Sequence, residues 1–442
     1  MPRLDPPSAE PLLVIGETDF RGHHRPWGLY RDDRLRHLYV LGRTGVGKST
    51  LLANMIRQDL ANGEGLALID PHGELVDDVL LFVPKERTND VLLFAPEDRE
   101  FPVSFNVFRN GRGVHADSAL LASQLVSVFR AQWSDSWGPR LENLLRFSVL
   151  AIAKDPRATL LFLYRFLTDE AIRERVVEEV KDPVVRHFWT KEFKSYSKNL
   201  QSEAMSPVLN KLGAFVSNTT IRNIVAQERS RIDFREFLDR KKILLAKLPV
   251  GAIGEDAARL LGGLLVTSLQ LAAMERRRRR PEFWLYVDEL QHFANDSLST
   301  LLSESRKFGV GVVLANQYLA QMPEPTLDAV RGNVGTMLAF RVGAEDAEAL
   351  ENEFAPEFEA SDLERLSKYH LAARVLVKGE SPHAFSARTI PPPSPPKDAA
   401  LRVERIVRQS RGRYALPRLE VERQVERSFL GSSPEAGDEP DI

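Results

Sequence analysis

The chain has no cysteine, which excludes disulfides and thiolate metal sites. It has almost no net charge. Its 60 basic and 62 acidic residues leave −2, so it is not a polycation, and any nucleic-acid contact has to come from local clusters. It lacks the ~20 continuous apolar residues that span a bilayer. The longest candidate, Leu260 to Met274, is interrupted by Gly262, Gly263, Thr267, Ser268 and Gln270 and reads as a buried helix. Met1 to Glu10 is polar and proline-bearing, without the charged-then-apolar pattern of a leader. Internal repeats are also lacking. These absences predict a cytoplasmic protein with no intrinsic membrane span. Histidines are few, and His23-His24 sits in a polar loop with Arg25 and Pro26, which reads as solvated rather than metal-binding.

What is present centres on Arg36 to Thr50. An apolar run, Leu38 to Leu41, leads into a glycine-rich turn and then into a helix through Leu51, Leu52, Met55 and Ile56. Gly42 to Ser49 fits G-x-x-x-x-G-K-[ST], with strand before and helix after as that motif needs. Gly42, Gly45 and Gly47 let the backbone turn its N–H groups inward as an anion nest, and the helix start adds its positive end. The loop Gly42, Arg43, Thr44, Gly45, Val46, Gly47, Lys48, Ser49 and Thr50 is therefore the expected nucleotide cradle. Lys48 suits the β- and γ-phosphates, and the Ser49 hydroxyl suits a Mg²⁺ shell, so ATP and Mg²⁺ are the expected cofactors.

Around this loop the chain alternates strand and helix. Leu66 to Ile69 reads as a buried parallel strand with Asp70 at its carboxyl end, where open α/β sheets bind ligands. Asp90 to Phe94 reads as the next strand. From about Val114 the spacing becomes helical, and residues 113–240 read as an all-α insertion. The α/β pattern resumes at Lys242 to Leu248. A helix over Ala257 to Met274 then ends in Arg276 to Arg280, which suits either DNA phosphates or a solvated helix end. The expected segments are 1–35, a lead-in; 36–112 and 241–390, the two parts of one motor domain; 113–240, the insertion; and 391–442, a proline-rich linker with a charged, partly disordered tail.

Phe283 to Val287 is an apolar strand running into Asp288 and Glu289. Asp288 suits a Mg²⁺ shell, and Glu289 suits a base that orients water for attack on the γ-phosphate. Val310 to Ala315 is a further strand that ends in Asn316-Gln317. There Gln317 could report nucleotide state or simply cap the strand. In the insertion, Lys181, Arg186, Lys191, Lys194, Lys198 and Lys211 lie among Phe188, Trp189, Phe193 and Tyr196. That pattern fits a phosphate-and-stacking surface or an ordinary amphipathic domain.

Several stretches together resemble a family: Gly42 to Thr50, Asp70 to Glu74, Ser136 to Arg140, Tyr286 to Glu289, Ser305 to Gly309, Ala315 to Gln317 and Gly332 to Gly335. In order and spacing they resemble the HerA/FtsK superfamily of ring-forming DNA-pumping ATPases, and within it the cytosolic part of conjugative coupling proteins of the TraG/TraD type. The resemblance implies an α/β fold: a RecA-like P-loop NTPase core with a mostly parallel sheet, an inserted all-α domain and a C-terminal tail. It implies a hexameric ring around DNA, with relaxase or secretion-channel proteins as partners. It also implies catalytic roles for Lys48, Glu289 and Gln317, and for Arg306 as an arginine supplied to a neighbouring subunit. Arg140 and Arg341 are further candidates for that arginine, and Asp70 for the site edge. The alternatives are a protein-export ATPase of the type IV machinery, or a nucleotide-dependent assembly ATPase in a mobile-element or phage-defence complex.

Overall fold

The structure, a computed structural model, describes residues 13–19, 24–110, 113–115, 117–133, 137–276, 281–380 and 383–430. These fall into two compact units. The first draws on 13–94, 127–133 and 234–410, and the second on 95–126, 137–233 and 411–430. Met1 to Glu10, His23, Ser136, Arg277 to Arg280 and residues 431–442 of the expected tail lie outside the described residues.

In chain order the strands are β1 (Leu13–Thr18), β2 (Pro26–Leu29), β3 (Leu38–Leu41), β4 (Gly65–Asp70), β5 (Val91–Phe94), β6 (Arg109–Asn110), β7 (Gly113–Val114), β8 (Ile243–Lys247), β9 (Phe283–Val287), β10 (Val310–Asn316), β11 (Thr336–Ala339), β12 (His370–Arg374) and β13 (Phe385–Thr389). The first unit holds one sheet in the order β2-β1-β13-β12-β11-β3-β10-β9-β4-β8-β5. From β11 to β5 every neighbouring pair is parallel. From β11 to β2 every pair is antiparallel.

The parallel part follows from composition. Strands covered on both faces carry unbroken apolar runs, and every residue of β3, β4, β9, β10 and β11 is buried. The antiparallel edge has mixed burial instead. Part of the expected lead-in, β1, therefore belongs to the sheet itself, with Gly16 opposite Thr389 on β13. Trp27 packs edge-on against Phe385 at 5.1 Å. The chain leaves β3 toward β4 on one side, and β11 flanks β3 on the other, so the order of connections reverses at β3. Open α/β sheets bind ligands beyond the carboxyl ends of the strands at such a point.

Charge is buried beneath this sheet. Arg34 donates two hydrogen bonds to Asp59, at 2.9 and 2.8 Å, and a third to the Tyr286 hydroxyl at 3.2 Å. Its guanidinium also lies 3.7 Å from the centre of the Trp284 ring. Trp284 in turn fills the space that a side chain at Gly311 would need, since a Cβ there would fall 2.3 Å from the indole. Burial, with Asp59 alongside, pushes the Tyr286 hydroxyl well above its ordinary value. Arg276 is likewise internal, bonded to Asp239 at 3.0 Å and to the carbonyls of Leu238 and Phe308. The first arginine of the basic run is thus a packing element rather than a phosphate contact.

Among its described residues the second unit is helical apart from the short β6–β7 ladder and one bridge between Val103 and Ala415. Its aromatics form a core. Phe147 stacks on Phe188 at 4.2 Å, and Trp189 meets Phe166 and Phe193, each at 4.9 Å. Phe188, Trp189 and Phe193 are buried, so the stacking surface considered for this segment is replaced by an ordinary amphipathic domain. Lys194 is paired with Glu174 at 2.8 Å.

The segment expected as linker and tail forms two helices, Ala399–Tyr414 and Arg418–Leu430. Ala399, Ile406 and Ser410 are buried and Val403 is half-buried. This is a stripe at helical spacing within a charged sequence. Ser410 Oγ accepts from Leu93 N at 2.9 Å, and Arg402 donates to the Val83 carbonyl at 2.8 Å. In the second unit, Ser104 N donates to the Tyr414 carbonyl at 2.7 Å and Arg411 bonds Asp98 at 2.7 Å.

Removing one partner of a buried ion pair leaves the other uncompensated. Arg34→Met is expected to cost about 3–5 kcal/mol in urea unfolding of the full chain. The double change Arg34→Met with Asp59→Leu is expected to recover most of it. A single variant within 1 kcal/mol of the wild type (on the order of ordinary surface changes) would show the pair to be unimportant.

Candidate functional site

Parallel register brings the candidate residues to one edge. Leu41, the last residue of β3, lies opposite Asn316 on β10 and Ala339 on β11. Val287, the last of β9, lies opposite Leu314 on β10 and Ile69 on β4. The residues that follow these strands therefore share the carboxyl end: Gly42, Gln317, Asp288, Glu289 and Asp70.

The glycines of the loop have separate reasons. A Cβ at Gly42 would fall 2.6 Å from Phe340 Cβ, so this position needs close approach. Gly45 and Gly47 have φ of 78° and 121°, which L side chains rarely adopt. Gly47 closes on the ring of Tyr369, whose N–H also holds the Val46 carbonyl at 2.8 Å. Arg43, Thr44 and Gly45 are exposed, and nothing lies within 4 Å of a Cβ built at Gly45. Lys48 and Ser49 open the helix Lys48–Ala61, with Ser49 exposed and Thr50 half-buried. The Lys48 ammonium is folded back on its own loop, donating to the carbonyls of Gly42 at 2.5 Å and Arg43 at 3.1 Å.

The facing wall is acidic. Burial, reinforced by Asp70 and Glu289, raises the Asp288 carboxyl to about 6. Burial also lowers the Lys48 ammonium, against the pull of Asp288 and Glu289. Glu289 goes the other way. Burial pushes it up, but hydrogen bonds from His292, Gln317 and His72 outweigh that and hold it at about 2. Its backbone sits at φ 47°, an uncommon region for a residue with a side chain. The two adjacent carboxylates thus differ sharply: Asp288 accepts one backbone N–H, from Glu289 at 3.0 Å, while Glu289 is met by several side-chain donors.

Gln317 donates directly to Glu289 Oε1, which joins two residues singled out in the sequence. Asn316 is fully buried and bonds the Tyr39 hydroxyl at 2.6 Å. Asp70 is at the same edge, but its oxygens accept from the N–H groups of His72 at 2.8 Å and Val76 at 3.0 Å. It shapes the turn after β4. The backbone of Arg341 touches the loop, its carbonyl accepting from Arg43 N at 3.0 Å, while its side chain is exposed.

Two of the expected arginines are elsewhere. Arg306 is exposed in the turn before β10, at the opposite end of that strand from Gln317, roughly 20 Å away at ~3.3 Å per residue. Arg140 is an exposed residue of the second unit, at the start of the helix Pro139–Ile152. Sequence reasoning gave no role to His72, His292, Phe340 or Tyr369. Only His72 carried a local signal, since it lies two positions past the end of a buried strand.

Residues 29–354 match the family described as the type IV secretion-system coupling protein DNA-binding domain. The type 4 coupling protein DotL of Legionella pneumophila is 22% identical over 391 residues, covering 72% of this chain and 48% of that protein. The chain thus spans about half the length of this curated relative. Among solved structures, plasmid coupling protein TrwB with a non-hydrolysable ATP analogue has a TM-score of 0.64 at 16% identity, covering 89% of this chain and 92% of that one. TrwB with ADP and Mg²⁺ gives 0.62 at 16% identity, covering 84% and 89%. VirB4 of Thermoanaerobacter pseudethanolicus gives 0.58 at 14% identity, covering 88% and 98%. These likenesses establish the P-loop NTPase fold with its mostly parallel sheet. The family match runs continuously through the glycine loop, the acidic strand end and Gln317, and the chain belongs to the type IV secretion-system coupling protein DNA-binding domain family.

Proposed function

We propose that this chain is an ATPase of the coupling-protein type that hydrolyses ATP at the boundary between subunits of a ring and uses it to move DNA. The observation that carries the reading is the row at the carboxyl edge: a glycine loop with its lysine, an acidic pair and a glutamine tied to the second acid. TrwB, which has the same fold, is described with ADP and Mg²⁺ and with an ATP analogue.

The residues fit these ligands. The exposed loop and the start of a long helix offer N–H groups to a polyphosphate. The Lys48 ammonium, held by loop carbonyls, can exchange them for phosphate oxygens. Ser49 and Asp288 would hold Mg²⁺, which supplies charge neutralisation when bound. A cation beside Asp288 would relieve the repulsion that raises its carboxyl. Glu289, ionised and fixed, can accept a hydrogen bond from the attacking water, and Gln317 couples that carboxylate to the end of β10. Arg306 lies too far from its own loop to act there. It is free to serve a neighbour's nucleotide, where a guanidinium stabilises charge on the transferred phosphoryl group. Transport of DNA and a hexameric arrangement rest on family membership, and relaxase or channel proteins are the partners that membership suggests.

Glu289→Gln is expected to lower steady-state ATP hydrolysis by about 10²–10⁴-fold while ATP stays bound, read by phosphate release and by retained nucleotide. Turnover near the wild-type rate would remove Glu289 from the chemistry. Lys48→Ala and Arg306→Ala should each be inactive alone. Mixed, they should regain part of the activity, because some interfaces then pair an intact loop with an intact arginine. Failure of mixing with assembly intact would place Arg306 outside the reaction. Single- or double-stranded DNA is expected to stimulate hydrolysis, and indifference to both would favour a protein-export motor.

A further inference from the structure

The carboxylate of Glu289 has more partners than its proposed task requires. Besides Gln317, it is met by two imidazoles. His72 Nε2 is 2.9 Å and His292 Nε2 is 3.3 Å from Oε2. The carboxylate is ionised, so it only accepts, and each facing imidazole nitrogen must be the donor. His292 stands three residues further along the same turn. His72 comes from a different strand end, 217 positions earlier in the chain.

The local structure is built to present His72. Asp70 ties down the His72 N–H and the Val76 N–H, which closes the turn after β4. Gly73 follows at φ 89°, a conformation that L side chains rarely adopt, so glycine suits the reversal of the chain at this point. The imidazole is left half exposed, with a side-chain exposure of 53%, yet its ring nitrogen reaches a carboxylate that is 11% exposed. A half-exposed side chain that bonds a buried acid from the end of the neighbouring strand contributes mainly through that bond. The backbone of Glu289 lies in the left-handed region, at φ 47°, a conformation that persists only where the surroundings hold it, and the bond from His72 is one of those holds.

We propose that His72 is a positioning residue for ATP hydrolysis: its Nε2–H holds the Glu289 carboxylate in the orientation from which it engages the attacking water, with His292 as a second support. The proposal rests on the reading of Glu289 as the water-orienting group. It makes the turn Asp70 to Gly73 a part of the hydrolytic machinery that acts through Glu289. Asp70 then acts at one further remove, by fixing the backbone that carries His72.

The test uses the full chain, with steady-state ATP hydrolysis and fluorescent-ATP binding measured on the same preparations. His72→Ala is expected to lower kcat about tenfold, the scale of one lost hydrogen bond to a charged group, with KM for ATP within about twofold. His72→Gln, which carries an N–H donor at similar reach, should recover part of the loss. Its melting temperature should match that of the alanine variant. An unchanged kcat in His72→Ala overturns the proposal. So does a glutamine variant no better than alanine, or a loss that appears equally in nucleotide binding. Glu289→Gln, run alongside, separates the two levels. If it keeps turnover, the reading of Glu289 itself fails and His72 falls with it. If it is inactive while His72→Ala matches the wild type, only the role of His72 is lost.

Discussion

The constraint on which the structure depends is the shared register of β3, β10, β9 and β4. Because these strands run parallel and in step, their carboxyl ends finish at one level, and the residues just beyond them are forced together. Four loops distant in sequence therefore place an ammonium and two carboxylates in a poorly solvated corner. Burial and near neighbours together move Asp288, Glu289 and Lys48 from their ordinary values. Burial, with Asp70 and Glu289 alongside, raises Asp288 despite the nearby Lys48, whereas the burial of Glu289 is outweighed by its hydrogen bonds, which lower it. The difference between the adjacent acids thus follows from the sheet, not from the acids.

Much of this was legible in the chain itself, because its causes are local. Strands buried on both faces must be apolar throughout, and the glycine loop must carry its glycines whatever lies around it. The acidic pair, Gln317 and the loop are at strand ends that the apolar runs mark out. The antiparallel edge was harder to read. β13 has the sequence Phe-Ser-Ala-Arg-Thr and gains its place by pairing with β1 and β12, information that no short window contains.

Non-local packing also explains the other differences. Phe188, Trp189 and Phe193 stand among lysines in sequence, and only the folded helices show that the rings face inward while a lysine pairs with Glu174. The helix Ala399–Tyr414 is highly charged on average, yet one stripe of it meets the first unit through Ile406 and Ser410. His72 and His292 look like incidental histidines until the sheet brings Glu289 between them. Composition averages over faces, whereas folding sorts them.

The strand β10 carries Gln317 at one end and is preceded by Arg306 at the other. If one end of this strand addresses nucleotide in its own subunit and the other addresses a neighbour, the contact joins unlike surfaces. Such a joint cannot be satisfied by a two-fold pair, in which both partners would offer the same face. It propagates, copy after copy, until the rotation per step closes on itself or continues as a filament. Polarity along a single strand would then become polarity around a whole assembly, with every member facing the same way round its axis.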